Sequence, residues 1–339
     1  MSNPPIFQGL GFAPGNTGSE AWAVNADGSI VVGGSYGGVA NYQAFEWTAA
    51  TGMVGIDQSS TPSGRVQANG VSDDGSVIVG VDNNGAFRWT AATGAVDIGA
   101  GNALDVSGDG AVVVGETNGS LAFRWTASTG MVSLGYLPGY SGSEAQGTDA
   151  DGSVVVGGCF GAQAFRWTAS TGMVGLGYLP GYDHSWAYGV SADGSVVVGF
   201  DWQDPNNNGS QDNDEAFLWT ASGGLTAIGP GLAYRANADG SVVVGKNQNG
   251  AFRWTAATGM QSIQDILTAD GVNPGQLIFA TGVSADGRTI VGLTGGEAWI
   301  ATIPLNAFAL LDLDGMDRSI GSLLWGGTVT NKASIAPQR

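Results

Sequence analysis

One cysteine, one histidine and two lysines in 339 residues leave few chemical options. Cys159 alone cannot build a disulfide framework, and with His184 as the sole imidazole a Cys/His zinc site within the chain is excluded. A Cys–His nucleophilic pair would require these two to meet across a loop, and no Gly-x-Ser-x-Gly elbow stands in a strand–turn–helix setting. With 11 basic against 29 acidic residues and a net charge of −18, the chain is ill suited to nucleic acid and to anionic membrane surfaces, because phosphate binding needs clustered Lys and Arg. No apolar run is long enough to span a bilayer, and nothing in the recurring unit has helical spacing. No signal peptide stands before Met1-Ser-Asn-Pro-Pro, which reads as a mature start.

What is abundant is repetition. Asp-Gly pairs stand at Asp27, Asp74, Asp109, Asp151, Asp193, Asp239 and Asp286, 35 to 47 residues apart, each leading into an apolar run such as Val196-Val-Val-Gly199. Periods of that length mark solenoids, propellers and arrays. Each unit reads as four strands, a to d. In the fifth, Trp186–Ser191 is a, Asp193-Gly194 is a two-residue turn, Val196–Gly199 is b and Ala216–Thr220 is c; a Ser/Thr-Gly turn then leads to d. Strand b is apolar at successive residues, as a strand covered on both faces should be. The 59 glycines serve these turns, and 43% hydrophobic residues supply a core.

The chain ends select a closed ring. The seventh unit lacks its fourth strand, whereas Phe7-Gln-Gly-Leu-Gly-Phe12 matches Gly175-Leu-Gly-Tyr178, and Ser19-Glu-Ala21 matches Ser143-Glu-Ala145. The expectation is an all-β, seven-bladed β-propeller of four-stranded antiparallel blades over residues 1–304, its last blade completed by the N-terminal strand so that only short edges remain. Residues 305–339 form a tail. There Leu305–Trp325 reads as a short amphipathic helix, which Asp312, Asp314, Asp317 and Arg318 bar from crossing a membrane, and the tail offers a route to self-association.

Residues that recur in every blade are read as structure. Trp47, Trp89, Trp125, Trp167, Trp219, Trp254 and Trp299, with the phenylalanines two positions earlier, are assigned to inter-blade packing. Arg88, Arg124, Arg166 and Arg253 are assigned to contacts with the neighbouring blade. Function is expected where the pattern breaks, in the b–c and d–a connections, which share one face of an up-and-down blade. That face gathers Tyr140, Tyr182, His184, Trp186 and Trp202, aromatics suited to stacking on sugar rings or to anchoring a surface protein. The largest break follows Trp202. Asp204, Asn206, Asn208, Gly209, Ser210, Asp212 and Glu215 fit positions 1, 3, 5, 6, 7, 9 and 12 of a calcium loop, in which oxygens at alternate positions wrap the ion and glycine permits the sharp turn. Ca2+ is the expected cofactor, in a hairpin that it would stabilise rather than switch.

The run Ala164-Phe-Arg-Trp-Thr-Ala-Ser-Thr-Gly-Met-Val, then Leu176-Gly-Tyr-Leu-Pro-Gly, then Gly189-Val-Ser-Ala-Asp-Gly-Ser-Val-Val-Val-Gly199 resembles the bacterial extracellular repeats of the HAF family over about residues 7–304. The segment from Met260 to Ala301 is similar to the last repeat of such proteins. The histidine that names that family is replaced by Gln43, Gly85, Leu121, Gln163, Glu215, Gly250 and Glu297. The resemblance implies secretion or display on a bacterial surface, often as an autotransporter passenger, and no particular reaction. The combined expectation is a non-enzymatic, calcium-stabilised adhesin- or lectin-like module. The alternatives are a structural head of a surface assembly and a polysaccharide-active enzyme using acidic loop residues.

Overall fold

The computed structural model describes residues 4–37, 42–58, 66–161, 163–204 and 212–305. Seven four-stranded antiparallel sheets stand in a ring, a seven-bladed β-propeller. The innermost strands are Gly18–Val24, Gln67–Val71, Gly101–Val106, Ser143–Thr148, His184–Val190, Leu232–Ala236 and Phe279–Val283. The seventh blade is closed as expected: Ile6–Gly9 pairs antiparallel with Ala298–Thr302, placing Phe7 opposite Ala301 and Gly9 opposite Trp299. The tail from residue 306 onward, with its expected helix, lies outside the described residues.

The Asp-Gly turn differs from the expected two-residue hairpin. Five residues, such as Asn25–Ser29, separate strands a and b, and only the glycine has positive φ, so the turn cannot be the mirror-image type that needs it at both central positions. Two side chains fix its shape in every blade. The residue ending strand a (Asn25, Ser72, Ser107, Asp149, Ser191, Asn237, Ser284) accepts the N–H five positions on, at 2.8–3.0 Å. The turn aspartate accepts the N–H two positions on, at 2.9–3.0 Å. In the fifth blade the Ser191 and Ser195 hydroxyls join it and hold the Asp193 carboxyl down at about 2.

These turns also join the blades. Ala26 N–H donates to the Asp73 carbonyl, Asp73 to Gly108, Asp109 to Ala150, Ala150 to Ala192, Ala192 to Ala238, Ala238 to Ala285, and Ala285 back to Ala26, all at 2.9–3.3 Å. The ring of backbone bonds is complete around one mouth of the channel. Arg88, Arg124 and Arg166 reach the same level, donating to the carbonyls of Gly110, Gly152 and Gly194 in the next blade. Arg253 instead donates to the Pro304 carbonyl at 3.1 Å; it is fully buried, and desolvation lowers its pKa.

Between blades the packing is apolar. Phe45, Phe87, Phe123, Phe165, Phe217 and Phe252 are fully buried, each contributing on the order of 2–3 kcal/mol. The tryptophan row is less uniform: Trp47 is buried, whereas Trp89, Trp125, Trp167, Trp219 and Trp254 are half-buried near the turn face. Trp299 belongs to the phenylalanine row, because it pairs with Gly292 as Phe45 pairs with Gly33. The chain is not wholly β. Ser262 caps a helix, α1 (Ile263–Ala269), by accepting the Asp265 N–H, and Ile263, Ile266 and Leu267 at helical spacing enter the core beside blade seven.

Three d–a loops carry a Pro-Gly turn with positive φ at Gly15, Gly139 and Gly181. In each, the N–H of the residue before proline donates to the same position of strand b: Ala13 to Ser35 Oγ at 3.1 Å, Leu137 to Cys159 Sγ at 3.4 Å and Leu179 to Asp201 Oδ2 at 2.5 Å. Cys159 is thus a buried acceptor standing where another blade has serine. Asp201 is fully buried, its Oδ1 has no partner, and burial pushes its carboxyl up to about 7.

Two predictions follow from this architecture. Deleting residues 1–10 removes the pairing strand and exposes the Ala298–Thr302 edge; a lower thermal midpoint with self-association is expected, and an unchanged midpoint in a monomer would refute closure by this strand. Asp201 retains its proton in the fold up to about 7, whereas an unfolded aspartate loses it near 3.9, so folding takes up a proton in that window. Its contribution to stability is therefore full below about pH 4 and declines as pH rises to 7. Asp201→Ser, which copies Ser35, should remove that decline and gain roughly 1–2 kcal/mol over the parent between pH 5 and 8. Parallel pH profiles of the midpoint in the two proteins would show that Asp201 is not the source.

Candidate functional site

Each innermost strand carries a β-bulge after its repeated alanine, between Ala21 and Ala23 in blade one and at the matching place in the other six. The bulge explains the glycine that ends the Val-Val-Val-Gly run. A Cβ on Gly33 would run into the Glu20 carbonyl oxygen, and Gly80, Gly115, Gly157, Gly199, Gly245 and Gly292 meet the same obstacle. The bulged residues are Trp22, Asn69, Leu104, Gln146, Tyr188, Tyr234 and Thr281, and all of them line one cavity of about 620 Å³ on the channel axis. It lies in the range of small-molecule sites.

The walls of this funnel differ in chemistry. Gln67, Asn69, Asn102 and Gln146, from blades two to four, present amides, while Tyr188, Tyr234, Phe279 and Trp22, from blades five, six, seven and one, present rings. The rings brace one another. Tyr188 meets Tyr234 edge-on at 5.1 Å, Tyr234 lies 6.2 Å from Phe279, and the Lys246 ammonium stands 4.7 Å above Phe279. Glu144 and Asp82 are the acids on the amide side, and burial, with the neighbouring Glu116 charge, pushes the Glu144 carboxyl up to about 7. Burial also pushes the Tyr188 phenol up to about 12.

Arg235 divides the funnel from the lower channel, lining both. Its Nη1 donates to the Tyr188 carbonyl at 2.7 Å and to the Tyr234 carbonyl at 3.1 Å, which fixes the guanidinium across blades five and six. Below it lies a smaller cavity of about 150 Å³, lined by Val24, Val71, Val106, Val190 and Val283 with Asp73, Asp105 and Asp149. Asp105 stands at that level, accepting the Thr148 N–H at 3.1 Å; burial raises its pKa against the opposing attraction of Arg235.

Of the five loop aromatics singled out by sequence, the structure brings two to a common site. Trp186 and Trp202 line a second hollow of about 320 Å³ together with Phe160, Gly161, Phe200, Glu144, Gln146 and Tyr188. His184 stacks on Trp202 at 5.0 Å and its Nδ1 lies 2.7 Å from Asp183 Oδ1. Tyr140 and Tyr182 sit at the ends of the Pro-Gly turns, pack into the inter-blade cores, and line neither cavity; the Tyr140 hydroxyl lies 3.0 Å from that of Tyr178. The funnel residues were missed because attention to loops passes over strand a. The available signal was the variation of strand a on both sides of its repeated alanine, against the near-constant strands b and c.

Of the calcium pattern, Asn206, Asn208 and Ser210 lie outside the described residues. Asp204 is buried and its N–H donates to Asp183 Oδ1 at 3.2 Å, while the ladder pairs Gln203 with Asp212 and Asp201 with Glu215. Among the described residues, no three His, Cys, Asp or Glu side chains group as a metal site, and no helix is long and apolar enough to cross a membrane.

No family model matches the sequence, and no curated protein matches it. Among solved structures, the chain is similar to one titled "Crystal Structure of Mitotic Checkpoint Complex", with a TM-score of 0.57 and 14% identity over 89% of this chain and 92% of that one. At that identity the likeness is one of fold, the propeller.

Proposed function

We propose that the chain is a non-enzymatic binding module for carbohydrate, displayed outside the bacterial cell, and that its ligand enters the central funnel. The observation that carries this reading is the convergence of the seven bulge residues, which differ in chemistry from blade to blade, on one cavity. A pyranose has an apolar face and a rim of hydroxyls, and the funnel opposes rings on one side to amides and Glu144 on the other. The acidic surface suits a neutral partner better than a polyanion.

The test is a glycan array followed by titration of the best hit. Tyr234→Ala should weaken binding about ten-fold through loss of ring contact, and a parent protein that binds no glycan would end this reading. The alternative of a polysaccharide-cleaving enzyme draws support from Glu144, whose raised pKa suits a general acid. Incubation with the array hits decides: chain shortening that Glu144→Gln abolishes would favour the enzyme, and intact ligand favours the binding module.

Calcium remains a proposal resting on the sequence pattern Asp204, Asn206, Asn208, Ser210, Asp212 and Glu215. Heat on titrating calcium into chelator-treated protein, lost in the Asp204→Ala, Glu215→Ala double variant, is the expected result; a silent titration of the parent excludes the site.

A further inference from the structure

We propose that the ligand is a linear oligosaccharide bound by its terminus, with its end unit in the funnel and the following unit in the hollow between blades four and five. The proposal rests on the carbohydrate reading of the funnel and adds the length and direction of the ligand. The two cavities share Glu144, Gln146 and Tyr188, so a molecule held by these three in the funnel is already at the edge of the hollow.

The hollow exists because of one glycine. At the position that follows the bulge-facing glycine of strand b, blade five has Phe200 and blade four has Gly158. A Cβ on Gly158 would collide with the Trp186 indole, which instead lies over blade four and stacks on Phe160 at 6.1 Å and 27°. On blade five a second series runs from Tyr188 to Phe200 at 5.8 Å and from Phe200 to Trp202 at 4.9 Å. Two aromatic series thus line the hollow, together with Glu144 and Gln146. This repeats, at smaller size, the ring-and-amide pairing of the funnel, which suits the next unit of the same kind of chain.

Direction follows from the floor. Arg235, pinned by the Tyr188 and Tyr234 carbonyls, stands between the funnel and a much smaller cavity of about 150 Å³ beneath it. The end unit is therefore placed over Arg235, and the following unit in the hollow, which adjoins the funnel at Glu144, Gln146 and Tyr188.

Defined linear glucans, mannans and galactans of one to six units, arrayed and then titrated in solution, test this. Affinity should rise by about ten-fold or more from one unit to three in the series that binds. Trp186→Ala and Phe160→Ala should bring the longer chains down to the affinity of the single unit and leave the single unit unchanged, while Trp186→Phe keeps the gain. Equal affinity for one unit and for longer chains overturns the proposal and leaves the funnel reading standing, as does undiminished binding of the longer chains by both alanine variants. A folded parent that binds no member of any series removes the funnel reading and this one together.

Discussion

The fold depends on a closed circle of backbone hydrogen bonds. Each a–b turn donates one N–H to a carbonyl of the next blade, and the last, from Ala285, returns to Ala26. The circle ties every blade to both of its neighbours at the same level of the channel, with donor and acceptor about 3 Å apart. It also explains the invariance of the turn. Asp accepts the N–H two residues on, Asn, Asp or Ser ending strand a accepts the N–H five residues on, and both hold the linking N–H and carbonyl groups at a constant angle. The N-terminal strand makes the circle possible, since it gives the seventh sheet the outer strand that its own unit does not encode.

The same regularity generates the site. A bulge in each inner strand forces glycine on strand b and turns one side chain of each blade toward the axis. The scaffold does not constrain that side chain, because the inter-blade packing is carried by the phenylalanine row and the adjacent alanines and valines. Seven independent choices are therefore available at fixed positions around one cavity, and this chain uses them to set aromatic groups against amides. Arg235 closes the base, held by two carbonyls that the bulges expose.

Substitutions of acceptor type show how far the repeat tolerates chemistry. Ser35, Cys159 and Asp201 receive the same loop N–H with a hydroxyl, a thiol and a carboxyl. The single cysteine is accordingly a packing residue whose thiol is pushed up by burial, and Asp201 is an acid whose carboxyl the same burial pushes up to about 7. Neither needs a catalytic role to account for it.

Blade number, strand order and closure were legible in the sequence because repetition reports them directly: recurrence of the Asp-Gly pairs every 35 to 47 residues gives the blades, and the Phe7–Phe12 match gives the missing strand. Local periodicity did not separate Trp299 from the tryptophan row, because pairing register rather than residue type places it opposite Gly292. The α1 helix was also passed over, its seven residues being shorter than a periodicity window resolves. Trp186 and Trp202 were found as loop-face aromatics, yet their joint hollow depends on Gly158, whose role appears only when blade five is set beside blade four. The funnel was out of reach for the same reason. Its seven residues are some 35 to 47 positions apart in the chain, and only closure of the ring, by bonds between turns far apart in sequence, carries them to one axis.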